Sequence, residues 1–388
     1  MLFSNCNQFI VIGDDYLEIM DLNRKQLGKE DRFWTGPFQI RYPICIFSIC
    51  WIVYTIADIS LLGRDNFQQM IPRIENKSSY LLLWYSPPFW ASNLKPQNGF
   101  KNCVFKNCDI SLDKSLINKS DVLLFHHSDL TKNPPIRTEN QIWVFMTLES
   151  PVHTYGPYKE QQWNNAFNWT WSYRQDSEIF TPYGKLSKRI VPKEKNYTKI
   201  FQHKSKDVAW VVSNCYTHSQ RNRYVQKMKK FIDVDVFGKC GKPCSSSGDE
   251  CIKDLSNRYK FYLSFENSIC EDYITEKAFR LYKGNFDIVP VIRGCPNIKD
   301  ILPKSTFITT LDFVSPKKLA LYLKDIALNE TMYLNYIKEK DRYVTTSYNN
   351  YIQDGTCLLC EKINNNRNGT VNLSQWMLKK QCISPLDI

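Results

Sequence analysis

The stretch FYLSFENSICEDYITEKAFRLYKGNFDIVPVIRG, residues 261–294, decides how this chain folds. Phe261, Leu263 and Phe265 alternate along it with the period of a half-buried strand. Glu266, Asn267 and Ser268 then break the apolar run. Ile274, Ala278 and Leu281 recur at helical spacing from about Tyr273 to Lys283, and Gly284 ends that helix. A further strand, 288–292, completes a β-α-β unit of about thirty residues.

The same layering extends outwards. Apolar runs 81–85, 122–125, 142–146 and 208–212 read as strands, and each ends on polar residues: Ser86, then His126-His127, then Glu149-Ser150, then Ser213-Asn214. A helix over about 218–231 and a strand at 234–237 follow, then the strand 259–265, giving a second β-α-β unit. The fold class is α/β. In open α/β sheets ligands sit beyond the carboxyl ends of the strands, so those polar residues are the candidate site. The amino end of the helix after Ile274 offers free N–H groups to a phosphate, and Lys277 in its first turn adds a charge-assisted contact. Glu276, an acceptor when ionised, suits ribose hydroxyls. An exposed Glu/Lys pair on a helix face would read the same way.

Composition narrows the partners. The chain has 388 residues, 43% apolar and 14% aromatic, enough for two or three packed domains and against global disorder. Its net charge of +12 is scattered without a Lys/Arg block, which favours a small phosphate-bearing ligand over nucleic acid. Fourteen cysteines, and Asn-x-Ser/Thr sequons at Asn76, Asn118, Asn168, Asn196, Asn329, Asn368 and Asn372, point to an oxidising, glycosylating lumen. Eleven cysteines follow residue 100, so at least one lacks an intramolecular partner. Residues 42–62 form an apolar run interrupted by Asp58 and preceded by Arg24, Lys25, Lys29, Arg32 and Arg41. They read as a transmembrane signal anchor with segment 1–41 in the cytoplasm, 63–79 as a stem, and the bulk of the chain in the lumen. A buried core segment is the alternative reading.

Some motifs have rival readings. Asp233-Val-Asp235 has the form of a metal-binding DxD, but it lies in a strand pattern, where a strand edge explains it. His126-His127 has metal-ligand chemistry, yet adjacent strand residues point to opposite faces, so at most one of the two is expected in the cleft. Cys357-x-x-Cys360 fits a redox pair, half a zinc site or structural disulfides. Cys240, Cys244 and Cys251 cluster in a Gly/Ser-rich loop, where one local disulfide is expected, with Cys240 and Cys251 among its candidates.

The run 261–294 closely resembles the signature of the α1,3-fucosyltransferase family, glycosyltransferase family 10. The segment 172–184, Glu149-Ser-Pro151, Ser213-Asn214 with Arg221, and Cys357-x-x-Cys360 are similar to family segments in the same order, so the match covers roughly 80–361. The resemblance implies a GT-B fold of two Rossmann-like domains facing across a cleft. The first (80–195) would carry the acceptor, the second (196–345) would bind GDP-fucose, and a tail (346–388) would return to the first. It further implies that Arg221 and Lys277 hold the diphosphate. Glu276, Tyr262, Asn267, Tyr273, Ser213 and Asn214 would line the nucleotide and fucose site. Glu149 would be the catalytic base, and His126 and His127 would lie on the acceptor side. Cys357 and Cys360 would be tied to Cys103 and Cys108. The expected reaction is inverting transfer from GDP-fucose to the 3-OH of an N-acetylglucosamine in a glycan, with no obligatory metal cofactor, in a Golgi type II membrane protein. Core fucosylation of N-glycans and an inactive glycan-binding homologue are the alternatives, and a homodimer is compatible with the sequence. Ser128 stands where vertebrate members carry Arg or Trp after the His pair, so that cue to linkage strictness is absent.

Overall fold

The strands named above assemble into two parallel sheets. The computed structural model describes residues 77–388 apart from 90–93, 95–98, 192, 247, 285, 349, 380 and 381, all within one compact unit, Asn76–Ile388. The segments 1–41 and 42–62, nearly all of the stem and Asn76 lie outside the described residues. Among those that are described, no helix is long and apolar enough to cross a membrane.

The first sheet contains β1 (Tyr80–Ser86), β2 (Cys108–Ser111), β3 (Val122–His126), β4 (Ile142–Thr147), β5 (Trp169–Ser172) and β6 (Ile179–Phe180), in the order β2-β1-β3-β4-β5-β6. After β7 (Gly184–Lys188), the second contains β8 (Lys206–Val211), β9 (Val234–Phe237), β10 (Tyr259–Phe265), β11 (Val289–Arg293) and β12 (Ile308–Thr309), in the order β12-β11-β10-β8-β9. Every pairing within the two sheets is parallel. Counted within its own lobe, each sheet runs 2-1-3-4-5, and the first adds a sixth strand, β6, after the fifth. That doubly wound order has its switch point between the first and third strands. β7 pairs antiparallel with β13 (Tyr343–Tyr348), a two-stranded ribbon joining the lobes.

The lobes are covered differently. In the second, α1 (Tyr197–Gln202), α2 (Arg221–Met228), α3 (Gly248–Arg258), α4 (Glu276–Phe279), α5 (Ile298–Ile301), α6 (Pro316–Leu328) and α7 (Glu330–Asp341) lie between or directly after the strands. Trp210, Phe261, Phe265 and Val291 face Tyr224 and Met228 of α2 and Leu323 and Ile337 of α6 and α7. Ala209 and Tyr262 face Ile252 and Leu255 of α3.

In the first lobe the described connections between strands contain only 3-10 turns. Its helices come instead from the chain's end, α8 (Tyr351–Asn365) and α9 (Leu373–Leu378). Leu359 and Ile363 of α8 pack on Trp84, Val144 and Trp171, while Leu373 and Trp376 of α9 pack on Leu123, Phe125 and Phe145 of the opposite face. Both lobes thus have the parallel, doubly wound sheet of a Rossmann-like domain, and the first differs in taking its helices from the chain's end. A strand buried on both faces needs cover from somewhere, and here the tail provides it. Gly355 allows the approach of α8, since a Cβ there would stand 2.0 Å from the Trp171 ring.

Among the described residues, five disulfides hold this arrangement. Cys103–Cys357 and Cys108–Cys360 tie α8 to the first lobe across sequence separations of 254 and 252. In the chain-entropy model, closing a loop of that length contributes about 5 kcal/mol, and the second bridge, beside the first, closes only a short further loop and adds less. Cys251 is bonded to Cys244, the one local disulfide expected in that cluster, and Cys240 pairs outside it with Cys215. Cys215 was outside the cluster considered, and the fold brings it beside Cys240 because Gly238–Lys242 turns back onto β8 at Val212. Cys270–Cys382 anchors the tail to the second lobe as well. Arg293, buried on β11, pairs with Asp387 at 2.5 Å. The tail thus engages both lobes. Cys295 is free and buried. Asn168 is engaged, its carboxamide accepting from the Trp143 N–H and donating to the Gly369 carbonyl.

Candidate active site

The carboxyl ends of both sheets meet. Ser150, after β4, accepts a hydrogen bond from Ser268, after β10, at 2.7 Å, and both are buried. Gln175, beyond β5, donates to Asp272 Oδ1 at 2.9 Å, and the Asn297 carboxamide donates to the same oxygen at 2.8 Å. Asp272 sits at φ 60°, a conformation Asp tolerates better than most residues. Tyr183 donates to the Leu148 carbonyl at 2.6 Å. These contacts fix the loop that carries Glu149.

Glu149 is half-buried, and Thr154 Oγ1 donates to its backbone carbonyl at 3.2 Å. Its carboxylate accepts from the Tyr273 hydroxyl across the cleft at 3.4 Å. Burial holds the Tyr273 phenol well above its usual range, so it remains a donor. No Lys or Arg among the described residues pairs with Glu149.

His127 lies beside this loop, and the His126 ring stands against the His127 ring rather than on the opposite face that alternation leads one to expect. β3 ends at His126 and a 3-10 turn starts at His127, so the period of two no longer applies and the rings sit 4.6 Å apart. His126 Nδ1 contacts Asp129 at 2.6 Å and the Ser128 hydroxyl at 3.0 Å, and His127 Nδ1 contacts the Tyr155 carbonyl at 2.8 Å. Burial outweighs the Asp129 contact and pushes His126 down to about 4. Burial lowers His127 as well, against the opposing influence of the Tyr155 carbonyl and Glu149. Both rings are neutral near pH 7.

On the second lobe, the helix expected over 273–283 is one turn, α4, tightening to a 3-10 turn at Arg280–Tyr282. Its first N–H groups are partly taken. The Glu266 carboxylate, 1% exposed, accepts from the Thr275 N–H at 2.9 Å and the Thr275 hydroxyl at 2.8 Å. Lys277 Nζ bridges Glu266 at 3.0 Å and Glu276 at 3.2 Å, with its side chain 29% exposed. Burial disfavours the ammonium, but the two carboxylates outweigh it and raise its pKa. Burial likewise raises Glu276, and Lys277 with Arg280 more than offset this and hold it below the usual range. Burial dominates at Glu266 and raises it.

Arg221 opens α2 and is 5% exposed. It donates to the Phe265 carbonyl at 2.5 Å and the Asn214 carbonyl at 3.0 Å, joining the ends of β8 and β10 at the switch point. Ser213 and Asn214 are exposed there, and the Asn267 carboxamide accepts from Ser268 at 3.1 Å. Tyr262 is buried on the α3 face of β10, with the charges of Arg280, Glu276 and Arg221 acting on its phenol. Arg223 is exposed on α2, contacting only Gln220 at 3.4 Å. Asp235 lies in β9 and pairs with Lys206, Lys242 and the Tyr259 hydroxyl, as a strand edge does.

Three contributors had no role assigned from sequence: Glu266, the Ser150–Ser268 contact and Asp272. Only Glu266 had a signal, an acidic residue directly after an apolar strand. The other two depend on which lobes meet.

Comparison with known proteins finds relatives over most of the chain. Residues 76–184 match the family model described as fucosyltransferase, N-terminal, and 201–376 that of glycosyltransferase family 10 (fucosyltransferase) C-term. The chain is 34% identical over 295 residues to alpha-(1,3)-fucosyltransferase 7 of Rattus norvegicus, covering 73% of this chain and 74% of that protein. It is 35% identical over 328 residues to the 4-galactosyl-N-acetylglucosaminide 3-alpha-L-fucosyltransferase 9 of the same species, covering 82% and 87%. A crystal structure of an alpha1,3-fucosyltransferase with GDP-fucose aligns at TM-score 0.49 and 17% identity, over 76% of this chain and 94% of that one. With two facing parallel sheets, matches to both halves of the family model and this identity over most of its length, the chain belongs to glycosyltransferase family 10, the fucosyltransferases.

Proposed function

We propose that the protein transfers L-fucose from GDP-fucose to the 3-OH of an N-acetylglucosamine in a glycan, with inversion and Glu149 as base. The observation that carries this is the placement of Glu149. It lies at the carboxyl end of β4, has no cationic partner among the described residues, and is 3.4 Å from the Tyr273 hydroxyl of the opposite lobe. Fucose leaves GDP from a β linkage and arrives as an α-fucoside, so a single displacement needs a carboxylate to take the acceptor proton. It also needs positive charge on the departing diphosphate. Lys277, the more exposed of the two cations expected there, serves that role directly, and Arg221 lends its charge from beneath while holding the strand ends. Glu276 is suited to the ribose hydroxyls. The neutral imidazoles of His126 and His127 offer hydrogen bonds to an uncharged acceptor sugar.

In this reading no divalent metal takes part, and the protein works in the Golgi lumen from an anchor at 42–62. The test is transfer from GDP-fucose to a Galβ1-4GlcNAc acceptor, with product linkage read by NMR and parallel assays in EDTA. An α1,3-linked product with activity retained in EDTA is expected. Release of another nucleoside diphosphate in preference to GDP overturns the donor assignment, and a loss of transfer that manganese restores overturns the metal-free one.

A further inference from the structure

Away from the transfer site, the far end of β7 gathers a second set of cations. Gly184 begins β7 in close approach to Phe279 of α4, while Lys188 and Arg189 stand about 16 Å further along the extended chain. Lys188, Arg189 and Lys193, with Lys338, Asp341 and Arg342 from the end of α7, line a cavity of about 290 Å³.

Gly284, at φ 106°, draws two of these charges together. A Cβ there would stand 3.0 Å from Arg189 Nη2 and 3.2 Å from Lys193 Nζ. The acids nearby are already matched: Asp341 with Lys195 at 2.8 Å and Glu339 with Arg342 at 3.0 Å. Among the described residues no carboxylate pairs with Lys188, Arg189 or Lys193, and the buried Nε of Arg189 has no acceptor. Burial, and after it the charge of Lys195, holds the Lys193 ammonium below its usual range. Converging, partly desolvated like charges destabilise one another unless an anion sits between them.

We propose that this cavity binds a tetrahedral oxyanion, the phosphate or sulfate group of a small ligand, independently of the nucleotide site. A guanidinium fork beside an ammonium matches such a group better than a lone carboxylate, because donors reach it from several directions. The cavity is larger than the bare ion, leaving space for the sugar or glycerol unit of an ester.

Calorimetric titration of the full chain in detergent, at low salt and with GDP saturating, tests this. The probes are inorganic phosphate, inorganic sulfate, glycerol phosphate and 6-sulfated N-acetylglucosamine. One site is expected. It should weaken at least tenfold in Arg189→Ala and Lys193→Gln and stay within about twofold in Lys277→Ala. Retained fucose transfer by Lys193→Gln shows that this variant is folded. Equal affinity for ion and ester assigns the site to the free ion, and tighter ester binding assigns it to that ester. Absence of binding, displacement by GDP, or indifference to both substitutions overturns the proposal.

Discussion

The two walls of the cleft share one strand order but end in opposite chemistry. Beyond β3 and β4 stand two neutral imidazoles and Glu149, whose partner across the cleft is a phenol. Beyond β8 and β10 stand Arg221, Lys277 and Arg280 among Glu266 and Glu276. A carboxylate paired with a cation is a weaker base, while a departing diphosphate needs cations. Keeping the cations on one wall lets both requirements hold within one cleft. The walls also differ in how they are held: the second by helices within its own β-α-β units, the first by helices returning from the chain's end.

The comparison predicts different failures on the two sides. Glu149→Gln keeps the shape and removes the base, so transfer should fall by ~10²–10⁴-fold while GDP affinity stays within a few-fold. Near wild-type transfer would place the base elsewhere. Loss of GDP binding would make Glu149 a structural residue.

Lys277→Ala should fail differently. It removes a phosphate contact and leaves Glu266 buried without its ammonium. Calorimetry should show GDP binding weakened by roughly 10–100-fold, and denaturant titration a loss of about 3 kcal/mol, the low end for a broken buried pair because Lys277 is partly exposed. Adding Glu266→Gln should recover most of the stability but not the GDP affinity. If stability alone falls, Lys277 does not touch the nucleotide.

The two-lobed tail gives a third test. Cys382→Ser opens the bond to Cys270, 112 residues away in sequence. Stability should drop by about 2–4 kcal/mol by denaturant titration. An unchanged midpoint would leave the Arg293–Asp387 pair as the effective clamp on the second lobe.

The smallest effect concerns acid. His126 is pushed down to about 4 by burial, so the unfolded chain, with an ordinary imidazole, binds the proton more readily. The stability this neutral ring contributes is complete above about pH 6.5 and is lost as pH falls through 4. His126→Asn should therefore flatten the acid limb between pH 6.5 and 4 by roughly 1–3 kcal/mol in thermal denaturation. An unchanged limb would mean that other groups set the acid sensitivity.

How much of this was legible beforehand depends on locality. β10 and β9 lie where alternation puts them, and the polar residues read at the strand ends from His126 to Asn267 lie at the facing edges, because strand period and strand termination are properties of adjacent residues. The helix after Ile274 was read too long. Glu266 caps its start at Thr275, and the chain tightens at Arg280 as Leu281 and Tyr282 turn to different clusters, Leu281 beside Tyr262 and Tyr282 beside Ile292. The paired histidines were misread because the strand stopped between them.

By itself, the sequence determined two sets of parallel strands, the polar residues at their carboxyl ends and, through the run 261–294, the family. Tertiary structure alone decided that α8 and α9 cover the first sheet, that Cys240 pairs with Cys215, and that Ser150 meets Ser268 and Glu149 meets Tyr273. Each of those contacts joins residues distant in the chain. An apolar stripe such as Leu359, Ile363, Leu373 and Trp376 records that a face must be buried, but nothing in it records against which sheet.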